Sequence, residues 1–219
     1  MEYNVGWAKR KSDQVWQSRS GWSTMYDEAY DYAVPMRRPG KSGAMSRVNR
    51  LFDMTAPMSA MYFAGNLQRD LFPAGQPTFV LETGPLAKMA IKADEVKAWN
   101  RELSNISELM HPFFLAGDWD TALHEACIDL SVGTAAILPV KGTPDNPVRF
   151  VCLPFDQLAL GVDAYGSVNF VSWKQVLTIE QVAEAFPNGR FPDGWSDKLK
   201  STPNGDVTLY QEWWAESRG

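Results

Sequence analysis

Asp118, Asp120 and His124 form the densest run of groups able to do chemistry: two carboxylates two residues apart, with an imidazole four residues further on. Such a set can hold a divalent cation or divide the acid and base work of a hydrolysis. The same aspartates also stand where an apolar-patterned helix begins, and a carboxylate there caps free N–H groups. Capping is the reading adopted, and a metal-dependent hydrolase is the alternative. Gly40-Lys41-Ser42 lacks the earlier glycine and the preceding strand of a phosphate-binding loop. His124-Glu125 has no second histidine four residues after the first, so it fails as a zinc-hydrolase motif. His111 and His124 read as ordinary polar residues, and no Gly-x-Ser-x-Gly nucleophile elbow occurs. Cys127 on an apolar helix face and Cys152 in a strand read as small core residues. No catalytic residue, metal ligand or cofactor is assigned.

The elements that carry these residues are helical first and extended afterwards. Asp13 to Ala33 places Val15, Trp22, Tyr26, Ala29 and Ala33 on one helical face, widened by Trp16 and Tyr30, with Gly21 a weak point and Pro35 the end. Residues 36–43 are a Gly- and Pro-punctuated loop with three positive charges, either exposed and mobile or pinned by an anionic partner. A second helix is capped at Asp53 or Thr55, with Pro57 tolerated in its first turn. It carries two apolar stripes, Ala56-Ala60-Phe63-Leu67-Leu71 and Met54-Met58-Met61. A helix apolar on both sides must be buried on both, within one domain or against a neighbouring subunit.

Residues 76–82 are a strand candidate. Val96, Trp99, Leu103, Ile106 and Met110 mark the clearest amphipathic helix, which Pro112 should kink or stop. A fourth helix carries Trp119, Leu123, Ala126, Cys127 and Leu130 and stops near Gly133. Strands are expected over 134–140, 147–153, 158–162, 167–176 and 206–214. Thr178 to Gln181 is a capping box opening a short helix. This order predicts an α+β fold, with N-terminal helices packed on a mostly antiparallel sheet. Its expected parts are a mainly helical 1–133 and a mainly β 134–219.

With 219 residues, 45% of them hydrophobic, the chain can bury a real core, which excludes a disordered or collagen-like protein. The net charge of −5 is unlike that of a simple electrostatic DNA binder. That charge is uneven: residues 1–70 hold ten Lys/Arg against seven Asp/Glu, and the rest hold eleven against nineteen. A nucleic-acid-binding module built on Lys9, Arg10, Lys11, Arg37, Arg38, Lys41, Arg47 and Arg50 is a further alternative, weighed against solvated charge or inter-subunit ion pairs. Two cysteines exclude a disulfide scaffold, and no apolar run approaches the length of a membrane span. The N-terminus has no signal-peptide apolar region, so the expectation is a soluble protein of a reducing compartment. Nine Trp and nine Met lean towards assembly, because interfaces favour such anchors.

Several segments share one resemblance: residues 22–35 at the exit of the opening helix, Leu51-Phe52-Asp53-Met54-Thr55-Ala56, and Leu67-Gln68-Arg69-Asp70-Leu71-Phe72-Pro73. Further on come Asp129-Leu130-Ser131-Val132-Gly133-Thr134-Ala135, Val151-Cys152-Leu153-Pro154-Phe155-Asp156 and Asp163-Ala164-Tyr165-Gly166. In order and spacing the chain resembles the N-terminal part of podovirus-type bacteriophage portal (head-to-tail connector) proteins. The resemblance implies a wing-like α+β region of a structural, non-enzymatic subunit without cofactors. Such subunits form a homo-oligomeric ring, usually of twelve, at the capsid vertex of the virion, after assembly in the host cytoplasm. Implied partners are capsid protein, terminase, tail or adaptor proteins and the genomic DNA that passes through the channel during packaging and ejection, with no membrane. Family members are about twice this long, so the channel-lining stem, clip and crown are expected to be absent. Arg37, Arg38, Lys41, Arg47 and Arg50 are the candidate contacts to a neighbouring subunit or to DNA phosphate.

Overall fold

The computed structural model describes residues 5–37, 52–73 and 76–215. They fold into helices and antiparallel strands, the α+β class that the sequence order predicts. Packing divides the chain into two compact units, Met1–Thr24 with Asp156–Gly219, and Met25–Phe155. The first helix falls in one unit with the last three strands, and the first two strands fall in the other.

The first of these units holds helix α1 (Val5–Ser20), and the expected single helix over 13–33 is two. Gly21 and Trp22 form a turn in which the Trp22 N–H bonds the Arg19 carbonyl at 3.0 Å, and α2 (Ser23–Ala33) starts afresh beyond it. Glycine gains least from helical confinement, so the break falls there. Val15 of α1 packs with Trp16 on Ala159, Phe170 and Trp214. Ser12 and Ser172 share a 2.7 Å hydrogen bond, and the Trp16 indole donates to Ser172 at 3.0 Å, so these three buried or half-buried polar side chains are paired.

Its sheet is β3 (Leu158–Val162), β4 (Val168–Thr178) and β5 (Asp206–Trp214), in that spatial order and antiparallel throughout. The expected capping box is present. Thr178 accepts the Gln181 N–H at 3.2 Å and Gln181 accepts the Thr178 N–H at 2.9 Å, opening α7 (Ile179–Ala185). A short α8 (Trp195–Ser201), which the apolar pattern does not signal, precedes β5.

Within Met25–Phe155, Tyr30 of α2 packs with Val34, Ala60 and Phe155, and its ring neighbour Tyr26 meets Phe155 edge-on at 4.9 Å. Helix α3 (Thr55–Leu71) begins where Asp53 accepts both the backbone N–H and the hydroxyl of Thr55, at 2.8 and 2.6 Å. Those two bonds hold the Asp53 carboxyl below its ordinary range. Only Pro57, Ala60 and Ala64 of α3 are buried.

No strand forms over 76–82. Instead the Leu81 N–H bonds Ser107 Oγ at 2.9 Å and the Thr83 N–H bonds Asn100 Oδ1 at 2.9 Å. Helix side chains thus satisfy backbone groups that a ladder would otherwise use. A short α4 (Pro85–Ala90) follows, with no counterpart among the expected elements. Helix α5 (Ala93–Ala116) runs through Pro112 and ends at Gly117. Pro112 removes the donor to Glu108, and both residues are exposed, so that carbonyl faces water rather than core.

Helix α6 (Trp119–Leu130) buries Ala122, Leu123, Ala126 and Cys127 against α3 and the hairpin of β1 (Ala136–Lys141) and β2 (Val148–Leu153). Gly117 joins α5 to this layer. Its carbonyl accepts the Phe150 N–H at 2.8 Å, and a Cβ there would lie 2.5 Å from the Val148 carbonyl oxygen.

Candidate functional site

The most connected polar residue described is Asp129, on the buried side of α6 and fully shielded from solvent. Tyr30 donates its hydroxyl to Oδ1 at 3.1 Å, and Arg37 donates Nε to Oδ1 and Nη2 to Oδ2, both at 3.1 Å. The Phe155 N–H reaches Oδ2 at 3.4 Å, and the Cys152 thiol points to it at 3.9 Å. Arg37 extends its remaining nitrogen to Glu125 Oε2 at 2.9 Å. Burial works against the Arg37 charge, but the hydrogen bonds and charge of Asp129, with Cys152 and Glu125, outweigh it and bind the guanidinium proton more tightly than usual. Burial also pushes the Cys152 thiol up to about 12, against the pull of Arg37 at 3.0 Å.

The arrangement is a planar fork on a carboxylate with its lone pairs filled, which fixes geometry and leaves no group poised to react. Asp129 was legible only as an oddity, an acid seven residues after Ala122 and three after Ala126 on the apolar side of a helix.

The three residues with hydrolytic potential are not brought together. Asp118 occupies the position before α6 with a left-handed φ of 63°, makes no side-chain cap, and pairs with Arg149 at 3.2 Å on the surface. The expected cap fails because this backbone turns the carboxylate away from the helix N–H groups. His124 Nδ1 meets Gln68 Oε1 at 2.9 Å, and Gln68 Nε2 reaches the Asp120 carbonyl at 3.3 Å, so these side chains tie α6 to α3. Among the described residues no group of three His, Cys, Asp or Glu side chains could hold a metal ion. Cys127 and Cys152 are both buried and unpaired as thiols.

Of the five basic candidates, Arg37 lies in the Asp129 cluster of its own chain. Arg38, Lys41, Arg47 and Arg50 lie outside the described residues.

Large apolar side chains are left in solvent on two helices of Met25–Phe155. At 100° per residue, Trp99, Ile106, Met110 and Phe113 of α5 fall within about 60° of one another, with Leu109 about 40° beyond. Trp99 is 56% exposed, Ile106 44% and Leu109 72%. Taking about 200 Å² for each such side chain, the stripe exposes on the order of 500 Å² of apolar surface, at the upper end for a monomer. The face of α5 carrying Asn100 and Ser107 is the one occupied by residues 81–83. Of the stripe read from the sequence, Trp99, Ile106 and Met110 are exposed among the described residues, while Val96 and Leu103 are half-buried. On α3, Met54, Pro57, Met58, Met61 and Tyr62 line an open groove of about 370 Å³. Both stripes expected to be buried on α3 are thus partly open: Met54, Met58, Phe63 and Leu71 are about half exposed, and of the first stripe Ala60 alone is fully buried.

The described residues thus hold paired structural charges and open apolar helices, and no helix long and apolar enough to cross a membrane. No curated protein matches the chain significantly. The pattern common to bacteriophage head to tail connecting proteins matches residues 6–214, nearly the whole sequence and both compact units. The chain belongs to the family of bacteriophage head to tail connecting proteins.

Proposed function

We propose that this chain is a structural subunit of a portal-type ring at the capsid vertex, or the wing-like part of one. It joins head to tail and lines or flanks the passage for DNA packaging and ejection. The observation that carries this reading within the family is the outward α5 stripe with the Met-lined groove of α3. A head-to-tail ring needs two different complementary faces on each subunit, and these two faces differ in shape and composition. In this reading the protein acts by shape and contact and carries no catalytic group. Its partners are copies of itself, the capsid, the packaging motor and the tail.

Arg38, Lys41, Arg47 and Arg50 would meet a neighbour's acidic surface or DNA phosphate, while Arg37 anchors the chain that leads into them. The net negative charge of residues 71–219 suits a surface that does not grip DNA, since phosphate contacts come from Lys and Arg. Mass photometry with negative-stain microscopy tests the reading. Closed rings of a fixed subunit number are expected, and a strictly monomeric protein at every concentration overturns it.

A further inference from the structure

The sequence carries two Asn-Gly pairs, Asn188-Gly189 and Asn204-Gly205, each preceded by proline. Both stand in the same local frame. Phe186 ends α7 and Thr202 ends α8. The Gly189 N–H bonds the Phe186 carbonyl, and the Gly205 N–H bonds the Thr202 carbonyl, each at 2.9 Å. Proline second and glycine fourth suit such a tight turn. In an Asn-Gly pair the asparagine side chain is also open to attack from the following backbone nitrogen, because glycine sets no Cβ beside it.

The two turns differ in what holds them. Around Asn204, the Gly205 carbonyl accepts the Ile179 N–H at 3.0 Å and the Pro203 carbonyl accepts the Glu180 N–H at 3.1 Å. Those donors open α7 and have no partner within the helix, so the turn is stitched to them. Pro203 and Gly205 are half-buried, and Asp206 enters the ladder opposite Thr178. Around Asn188, by contrast, Pro187, Asn188, Gly189 and Arg190 are all exposed. Among the described residues the Gly189–Phe186 bond is the one hydrogen bond that holds Pro187, Asn188 or Gly189.

We propose that Asn188 is a site of spontaneous deamidation and isoaspartate formation, and that the fold protects Asn204 from the same reaction. The Gly189 nitrogen, on losing its proton to solvent hydroxide, attacks Asn188 Cγ. A new N–Cγ bond closes a cyclic imide, the Cγ–Nδ2 bond breaks, and Nδ2 leaves as ammonia with a proton taken from water. Water then opens the imide at either carbonyl, leaving aspartate or, where the chain now runs through Cγ, isoaspartate. One water is consumed, one ammonia is released, and nothing is oxidised or reduced. The closed turn engages the attacking nitrogen, so the reaction runs from a locally opened state. Opening releases one hydrogen bond at Asn188 but three at Asn204.

Peptide mapping by mass spectrometry, on the full chain held at mildly alkaline pH, follows both sites, and isoaspartyl methyltransferase identifies the isoaspartate. Asn188 is expected to convert at least about tenfold faster than Asn204, a factor that two further hydrogen bonds supply. In concentrated urea, where both turns are open, the two rates should converge. Asn188→Gln, whose longer side chain closes the imide poorly, should remove conversion at that position with an unchanged circular dichroism spectrum. An Asn188 that does not convert overturns the proposal, as do equal rates at the two sites in folded protein. Aspartate without isoaspartate also overturns it, because the imide route gives both. A rate difference that persists in urea does the same, since it places the cause in the flanking sequence and not in the bonds that hold the turns.

Discussion

Truncating Arg37 to alanine would leave the Asp129 carboxylate inside the protein with only Tyr30, the Phe155 N–H and a distant thiol as donors. A buried ion pair broken on one side typically costs about 3–5 kcal/mol, far more than the pair is worth against an apolar replacement. Urea denaturation of Arg37→Ala should show a loss of that size. Glu125→Ala, which removes the half-exposed partner, should cost about 1 kcal/mol or less. Cys152 supplies a pH test at the same place. Its folded thiol holds its proton up to about 12, whereas an unfolded thiol releases it near 9. The folded state therefore binds more protons in that window, and stability is lost as pH rises from about 9 towards 12. Cys152→Ala should flatten that part of the stability curve, measured by thermal unfolding at stepped alkaline pH.

At the level of elements, Gly117 is where a single methyl group matters most. Gly117→Ala would press a Cβ onto the Val148 backbone, and the helix–hairpin joint must shift, at about 1–3 kcal/mol. Chemical denaturation would register the loss, and the Phe150 amide should exchange faster. Strand positions were largely legible because turn residues bracket them: β3 and β5 fall where Gly, Pro, Asn and Asp clusters predict. The capping box at Thr178 was legible for the same local reason. Residues 76–82 misled because their backbone found a helix side chain rather than a neighbouring strand: the Leu81 N–H bonds Ser107, remote along the chain. Helix α5 was legible as an element, yet its apolar face gave no hint of pointing outward, since periodicity records a buried stripe without saying which molecule buries it. The Asp129 cluster was hardly legible at all, because its members come from α2, the turn after it, α6 and β2.

For the molecule as a whole, the open stripe of α5 makes a prediction distinct from stability. Ile106→Glu replaces an exposed side chain, so the melting temperature should stay within a degree or two, as for most surface changes. Ring or higher assembly should fall at least about tenfold, since a charge buried at an apolar contact is costly. Mass photometry of the two proteins compares the outcomes. The chain route carries one further consequence. Ser12 waits for Ser172, 160 residues later in synthesis, while Met25–Phe155 closes on itself. On the ribosome Met25–Phe155 can therefore reach its final form before α1 does, with α1 left unprotected until β3 and β4 emerge. Chains ending before residue 168, held on a linker that clears the ribosome, should lose α1 to a protease and keep a resistant core, so that helix is among the last elements to be finished.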